Sequence, residues 1–157
     1  MKLLIQRVSE ASVTINGEQT AEIGAGYLVL VGISHGDDIT MARKMLDKMY
    51  KLRIFSDENG KTNLSIKNVG GDLLLVSQFT LYANCKKGNR PSFIDNAAPD
   101  KAKVLFEEMV RECRRSHDRS VEAGVFAADM KISLVNDGPF TVLLDSAELF
   151  PVGREIL

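Results

Sequence analysis

The stretch that most constrains this chain runs from Lys131 to Asp145, K-I-S-L-V-N-D-G-P-F-T-V-L-L-D. Ile132 and Leu134 alternate before Asn136-Asp137-Gly138-Pro139, and Phe140, Val142 and Leu144 alternate after it. Apolar alternation, turn residues and alternation again predict a two-strand hairpin. Proline is an unusual turn residue here, because it donates no N–H and restricts the residue before it. Gly138-Pro139 therefore reads as a selected backbone shape. Two conformations fit: a proline that only shapes the turn, or a cis bond, found at about 5–6% of X–Pro positions. A cis bond would point successive carbonyls into a pocket, where a carbonyl in the path of one enantiomer's side chain excludes that enantiomer.

A second polar interruption, Ser77-Gln78-Phe79-Thr80, follows the apolar strand Leu73–Val76. Strand ends are where scaffolds place sites, although Ser and Gln are also ordinary where a strand runs out into solvent. On the functional reading, Ser77 or Thr80 supplies a hydroxyl and exposed backbone N–H groups form an oxyanion hole. A hydroxyl nucleophile needs an adjacent base, and neither His35 nor His117 stands in a recognisable relation to these residues. A Ser/His/Asp triad is thus poorly supported. The two interruptions are expected to form one site.

The remaining elements follow from periodicity. Lys2–Ile15 alternates as a strand bent near Glu10-Ala11, and Asn16-Gly17 is the strongest short hairpin signal. Tyr27–Ile33 is nearly all apolar and reads as a buried central strand. Ala42, Met45, Leu46, Met49 and Tyr50 mark an amphipathic helix, capped from His35–Asp38. A second helix starts at Pro99 and carries Ala102, Leu105, Phe106, Met109, Val110 and Cys113. Leu52–Phe55 is expected to be a short strand, and Leu64–Val69 is weakly patterned. The expected class is α+β: one domain over residues 1–157, with a largely antiparallel, curved, barrel-like sheet and two long amphipathic helices outside.

Composition narrows the partners. A formal net charge of −1, with Lys+Arg 20 against Asp+Glu 21, gives no global field for holding nucleic acid, so DNA is not expected and RNA contact must be local. The local candidate is Lys86-Lys87-Gly88-Asn89-Arg90, in a polar loop from Asn84 to Pro99. Charge runs in loops are commonly just solvated. Nothing approaches a membrane span of about 20 apolar residues, and the apolar start Leu3-Leu4-Ile5 ends at Gln6-Arg7, so the cytoplasm is expected. Cys85 and Cys113 lack metal or CxxC spacing, so free thiols, no metal and no cofactor are expected. Arg7 is odd in an apolar strand: it either faces water at an edge or holds the site in place.

Four segments together closely resemble the D-aminoacyl-tRNA deacylase family: I-Q-R-V at Ile5–Val8, S-Q-F-T-L at Ser77–Leu81, K-G-N-R-P-S-F at Lys87–Phe93 and N-D-G-P-F-T at Asn136–Thr141. The resemblance spans essentially the whole chain. It implies a metal-free homodimer that removes D-amino acids, and mischarged glycine, from tRNA while rejecting L-aminoacyl-tRNA. It implies Gly138 and cis Pro139 of one subunit as the chiral selector in the other's site. Asn136 and Arg7 lie beside them in the substrate-binding set, with Arg7 bracing the segment. Ser77, Gln78, Phe79 and Thr80 are implied as the catalytic wall, with Thr80 the assigned residue. Lys86, Lys87 and Arg90 would hold tRNA, and the ribose 2′-hydroxyl would assist hydrolysis. Two positions depart from the family pattern. Ala127 replaces the second glycine of Gly-x-Phe-Gly-Ala-x-Met, where a positive φ would strain it. Phe140 replaces a small aliphatic beside the selector and would narrow the pocket mouth. Two other classes compete: an RNA-binding module without chemistry, using Lys86–Arg90 with Arg111, Arg114 and Arg115, and an esterase or peptidase with Thr80 or Ser77 as nucleophile.

Overall fold

The computed structural model describes residues 1–151. Its longest early element, β1 (Lys2–Ile15), organises the sheet. One edge of β1 pairs with β3 (Gly26–Gly32) up to Val8 and then with β2 (Glu18–Ile23), antiparallel throughout. The β1–β2 turn is the expected Asn16-Gly17, with φ of 51° and 81°, the doubly left-handed form that a two-residue hairpin prefers.

The other edge of β1 is covered by β8 (Lys131–Asp145), from Lys2 opposite Asp145 to Thr14 opposite Lys131. This overturns the expected hairpin. The stretch is one strand, and the chain does not reverse at Asn136–Pro139. The register shows why. As β1 runs from Val8 back to Gln6, β8 runs from Asn136 to Thr141, so Asp137–Phe140 leave the ladder as a bulge. Because β1 is long enough to pair with both halves, ladder hydrogen bonds on either side override the local turn preference.

Two further strands are parallel: β6 (Asp72–Ser77) to β3, and β7 (Val121–Ala123) to β6. Parallel neighbours need crossover connections, and these contain α1 (Ile39–Lys51) and α3 (Pro99–Ser116). The fold is therefore the expected single α+β, barrel-like sheet with two long helices outside, its antiparallel part confined to β1 and its partners. The sheet buries both faces. Leu73 and Leu75 join Tyr27, Val29 and the helices on one side, while Leu28, Leu74 and Val76 meet Val8, Ala11 and Val13 on the other. Strands buried on both faces read as continuous apolar runs, which is how β3 and β6 look in the sequence.

Asp38 caps α1 by accepting from the Met41 N–H, and Pro99 opens α3. Met45, Met49 and Met109 are fully buried core. Small elements depart from expectation. The strand expected at Leu52–Phe55 is β4 (Phe55–Ser56), paired with β5 (Thr62–Leu64). The weakly patterned stretch holds a single turn, α2 (Ile66–Val69), made by a Ser65/Asn68 capping box and too short to show a period. At α4 (Ser146–Leu149) the buried Met1 ammonium donates to Asp37 Oδ1 at 2.7 Å and Ser146 Oγ at 2.6 Å. No described helix is long and apolar enough to cross a membrane.

Candidate active site

β6 ends at Ser77 and the chain turns at once into a 3-10 turn, Phe79–Tyr82. The Gln78 N–H donates to the Val31 carbonyl at 2.8 Å, so it is not available to a ligand. The Phe79 and Thr80 N–H groups have no acceptor among the described residues, as befits the first donors of a helical turn. The turn is held from behind. Lys2 Nζ donates to the Leu81 carbonyl at 3.4 Å and lies 4.9 Å over the Tyr82 ring. Burial pushes the Tyr82 phenol up to about 12.

In front of the turn lies a cleft of about 800 Å³, within the range of small-ligand sites. Ser77, Gln78 and Phe79 form one wall, and Phe93, Phe126 and Met130 face it from elsewhere. Phe79 is 59% exposed and meets Phe93 edge-on, with centroids 5.0 Å apart. The loop carrying Phe93 is pinned at its base by reciprocal Asn84–Ser92 backbone bonds of 2.8 and 3.0 Å. Lys86, Lys87 and Arg90 lie exposed along it. Thr80 stands one step back from the lining, its hydroxyl accepting a hydrogen bond from Gln78 Nε2. Neither histidine lines the cleft. His35 is exposed with Nδ1 near the Asp95 carbonyl, and His117 is buried against the Gly71 carbonyl at 2.8 Å. Ser77 and Thr80 therefore have no imidazole beside them.

The Gly138-Pro139 segment is a separate construction. The bond is cis, and Gly138 has φ of +136°. A Cβ there would lie 2.9 Å from Arg7 Nη2 and 3.0 Å from the Phe140 nitrogen, so only glycine fits. Arg7 Nε donates to the Asp137 carbonyl at 2.9 Å, and Nη1 donates to the Ile54 carbonyl at 2.6 Å. Its guanidinium lies 4.8 Å over the Phe140 ring. Asn136 Nδ2 closes the bulge by donating to the carbonyls of Arg7 at 3.0 Å and Phe140 at 2.9 Å. Arg7 is thus not a water-facing edge residue: its side chain is 12% exposed. Phe140 packs on Arg7 and does not line its own chain's cleft.

Gly138 and Pro139 are exposed, and neither lines the cleft of its own chain. The chain therefore presents two separate features: a cleft bordered by N–H donors with no acceptor among the described residues, and a braced main-chain projection. Phe126 and Met130 were not singled out as site residues from the sequence. Their signal was the motif around Ala127, which lines the cleft at φ of +63°.

Comparison with known proteins places this architecture in the class of aminoacyl-tRNA deacylases. The D-aminoacyl-tRNA deacylase of Lactobacillus helveticus is 54% identical over 145 residues, covering 92% of this chain and 99% of its own. That of Thermomicrobium roseum is 54% identical over 149 residues, covering 95% and 96%. A family model described as D-Tyr-tRNA(Tyr) deacylase matches residues 4–145, and the chain belongs to that family. A solved structure titled c-Myc DNA Unwinding Element Binding Protein superposes with TM-score 0.88 at 38% identity, covering 93% of this chain and 99% of its own. A probable eukaryotic D-amino acid tRNA deacylase shares the fold, with TM-score 0.76 at 17% identity over 92% of this chain and 98% of its own.

Proposed function

We propose that two copies of this chain act together, the Gly138-Pro139 projection of each entering the other's cleft. There they hydrolyse D-aminoacyl-tRNA and mischarged glycyl-tRNA and reject L-aminoacyl-tRNA. The underlying activity follows from the family: the chain is a D-aminoacyl-tRNA deacylase, a hydrolase of the ester between amino acid and tRNA that serves translation proofreading. One observation carries the finer reading. The Gly138-Pro139 bulge is tightly braced by Arg7, yet it projects into solvent and is absent from its own chain's cleft. Val135 and Leu143, 50% and 53% exposed on the same strand, supply apolar surface for a second copy.

The chemistry needs little from side chains. Water adds to the ester carbonyl, the developing oxyanion takes the Phe79 and Thr80 N–H groups, and the bond to the ribose 3′-oxygen breaks. Free D-amino acid and tRNA leave. With no imidazole at the cleft, the adjacent 2′-hydroxyl of the terminal ribose assists, and Thr80 keeps Gln78 in position. Main-chain atoms of Gly138 and Pro139 stand where an L side chain would go, whereas a hydrogen of glycine or of a D residue fits. Lys86, Lys87 and Arg90 take tRNA phosphates, and the reaction belongs in the cytoplasm, where charged tRNA is used.

Deacylation of matched D- and L-aminoacyl-tRNA tests this, with rapid release expected only for the D form. Equal rates, or no hydrolysis of either, reject the reading. Mixing a Pro139→Ala chain with a Gln78→Ala chain tests the shared site, because mixed dimers regain one intact cleft and recover activity that neither variant has alone.

A further inference from the structure

A second cavity, of about 570 Å³, opens between α1, α2 and the end of α3 and shares no lining residue with the cleft. Four cations line it, Arg43, Lys51, Arg53 and Lys67, against two carboxylates, Asp47 and Glu112. Both carboxylates are already matched. Lys51 lies 2.7 Å from Asp47, and Glu112 receives Arg43 at 2.9 Å and Arg115 as well. Hydrogen bonding to Arg43 accordingly holds the Glu112 carboxyl below its usual range. Arg53 and Lys67 have no carboxylate partner among the described residues. Lys67 is nevertheless fixed: its ammonium donates to the Ser116 carbonyl at 3.0 Å and sits 4.6 Å over the Tyr50 ring. A chain with net charge −1 thus gathers surplus positive charge around one concavity. A solvated charge run on a convex face does not converge in this way, and convergence focuses the field on an anion.

We propose that this cavity binds a backbone phosphate of the tRNA whose 3′ end occupies the partner's cleft, an inference that rests on the deacylase reading above. Continuity supplies the link. Arg53 immediately precedes Ile54, whose carbonyl accepts from Arg7 Nη1, while Arg7 Nε holds the bulge that carries Gly138-Pro139. The cavity rim and the projection are two ends of one braced strip. On that reading, the cavity is carried with the projection towards the partner's cleft and the tRNA bound there. The ligand chemistry is a phosphate, which a free nucleotide also carries, so the test separates the two sources.

The test compares wild type with Arg53→Ala and with Arg53→Ala/Lys67→Gln, using D-aminoacyl-tRNA and D-aminoacyl-adenosine, which lacks backbone phosphate. For the double variant, KM for the charged tRNA rises about 10-fold with kcat unchanged, and KM for the adenosine ester stays put. The salt dependence of KM weakens by a log–log slope of about 1–2. Arg53→Lys keeps the charge and restores KM. Arg53 is exposed, so its single variant folds even where the Lys67 change disturbs Tyr50. An unchanged KM for tRNA in the Arg53 variant overturns the proposal. So does saturable AMP binding to wild type that the variant loses while tRNA kinetics stay the same, which assigns the cavity to free nucleotides. A wild type active on D-aminoacyl-tRNA and indifferent to these changes sinks this inference alone. An inactive wild type sinks the deacylase reading instead.

Discussion

Arg7 is the side chain on which the projecting Gly138-Pro139 segment depends. Its planar fork reaches the Asp137 and Ile54 carbonyls at once, and a lysine offers one point charge in place of two fixed directions. Arg7→Lys should leave the fold intact and lower kcat/KM by roughly 10²-fold, the scale on which small misplacements act. Steady-state deacylation with a melting control checks it. The Thr80 hydroxyl is set back from the cleft lining and accepts from Gln78, and alanine keeps the main-chain N–H, so Thr80→Ala should keep substantial activity. Complete loss, with an acyl-enzyme trapped on the wild-type hydroxyl, would favour the nucleophile mechanism. Ala127 sits at φ of +63°, a region costing an L residue roughly 1–2 kcal/mol. Glycine gives part of that back as unfolded-state entropy, so Ala127→Gly should stabilise by about 0.5–1 kcal/mol in urea unfolding. The sequence marks all three positions, through an arginine in an apolar strand, a hydroxyl after a strand and an alanine in a glycine's place. Their partners are hidden, because Ile54 and Asp137 are distant from Arg7 in the chain.

At the scale of elements, local signals decide local structures. Asn16-Gly17 makes its turn and the Ala42–Met49 stripe makes its helix, because turn preference and amphipathic period are properties of short segments. The long β8 defeats the same logic, since Asn-Asp-Gly-Pro favours a reversal that pairing with β1 does not permit. The meeting of β1, α1 and α4 depends on another long-range contact, the buried ion pair of the Met1 ammonium and Asp37. Asp37 also accepts from the Ser34 N–H at 2.7 Å and the Ser34 hydroxyl at 2.9 Å. Asp37→Ala strands a buried positive charge and should cost about 3–5 kcal/mol, read as a fall in the urea midpoint.

For the molecule as a whole, burial shapes the response to pH. The Cys113 thiol is pushed up to about 11 from an ordinary 9 by burial, and the Tyr82 phenol to about 12 from 10. Burial also raises Tyr27 and Tyr50. Each group keeps its proton longer folded than unfolded, so its contribution is fully present below the unfolded value and is lost as pH rises through the folded one. Stability should therefore fall between about pH 9 and 11 by about 1.4 kcal/mol per pH unit for Cys113 alone. Cys113→Ala should flatten that part of the curve in urea titrations across pH.

The sequence by itself determined the class of fold, the elements with strong periods, and the four segments that carry the family. Those features depend on residues near one another in the chain or on side-chain type alone. Tertiary structure decided what no local pattern specifies. It made Asp137–Phe140 a bulge within a strand, because β1 runs past both halves. It engaged the Gln78 N–H and left those of Phe79 and Thr80 without an acceptor among the described residues, because Val31 lies beside the strand end. It set the projection outside its own cleft, because pairing partner and register, which place a backbone in space, are contributed by the rest of the molecule.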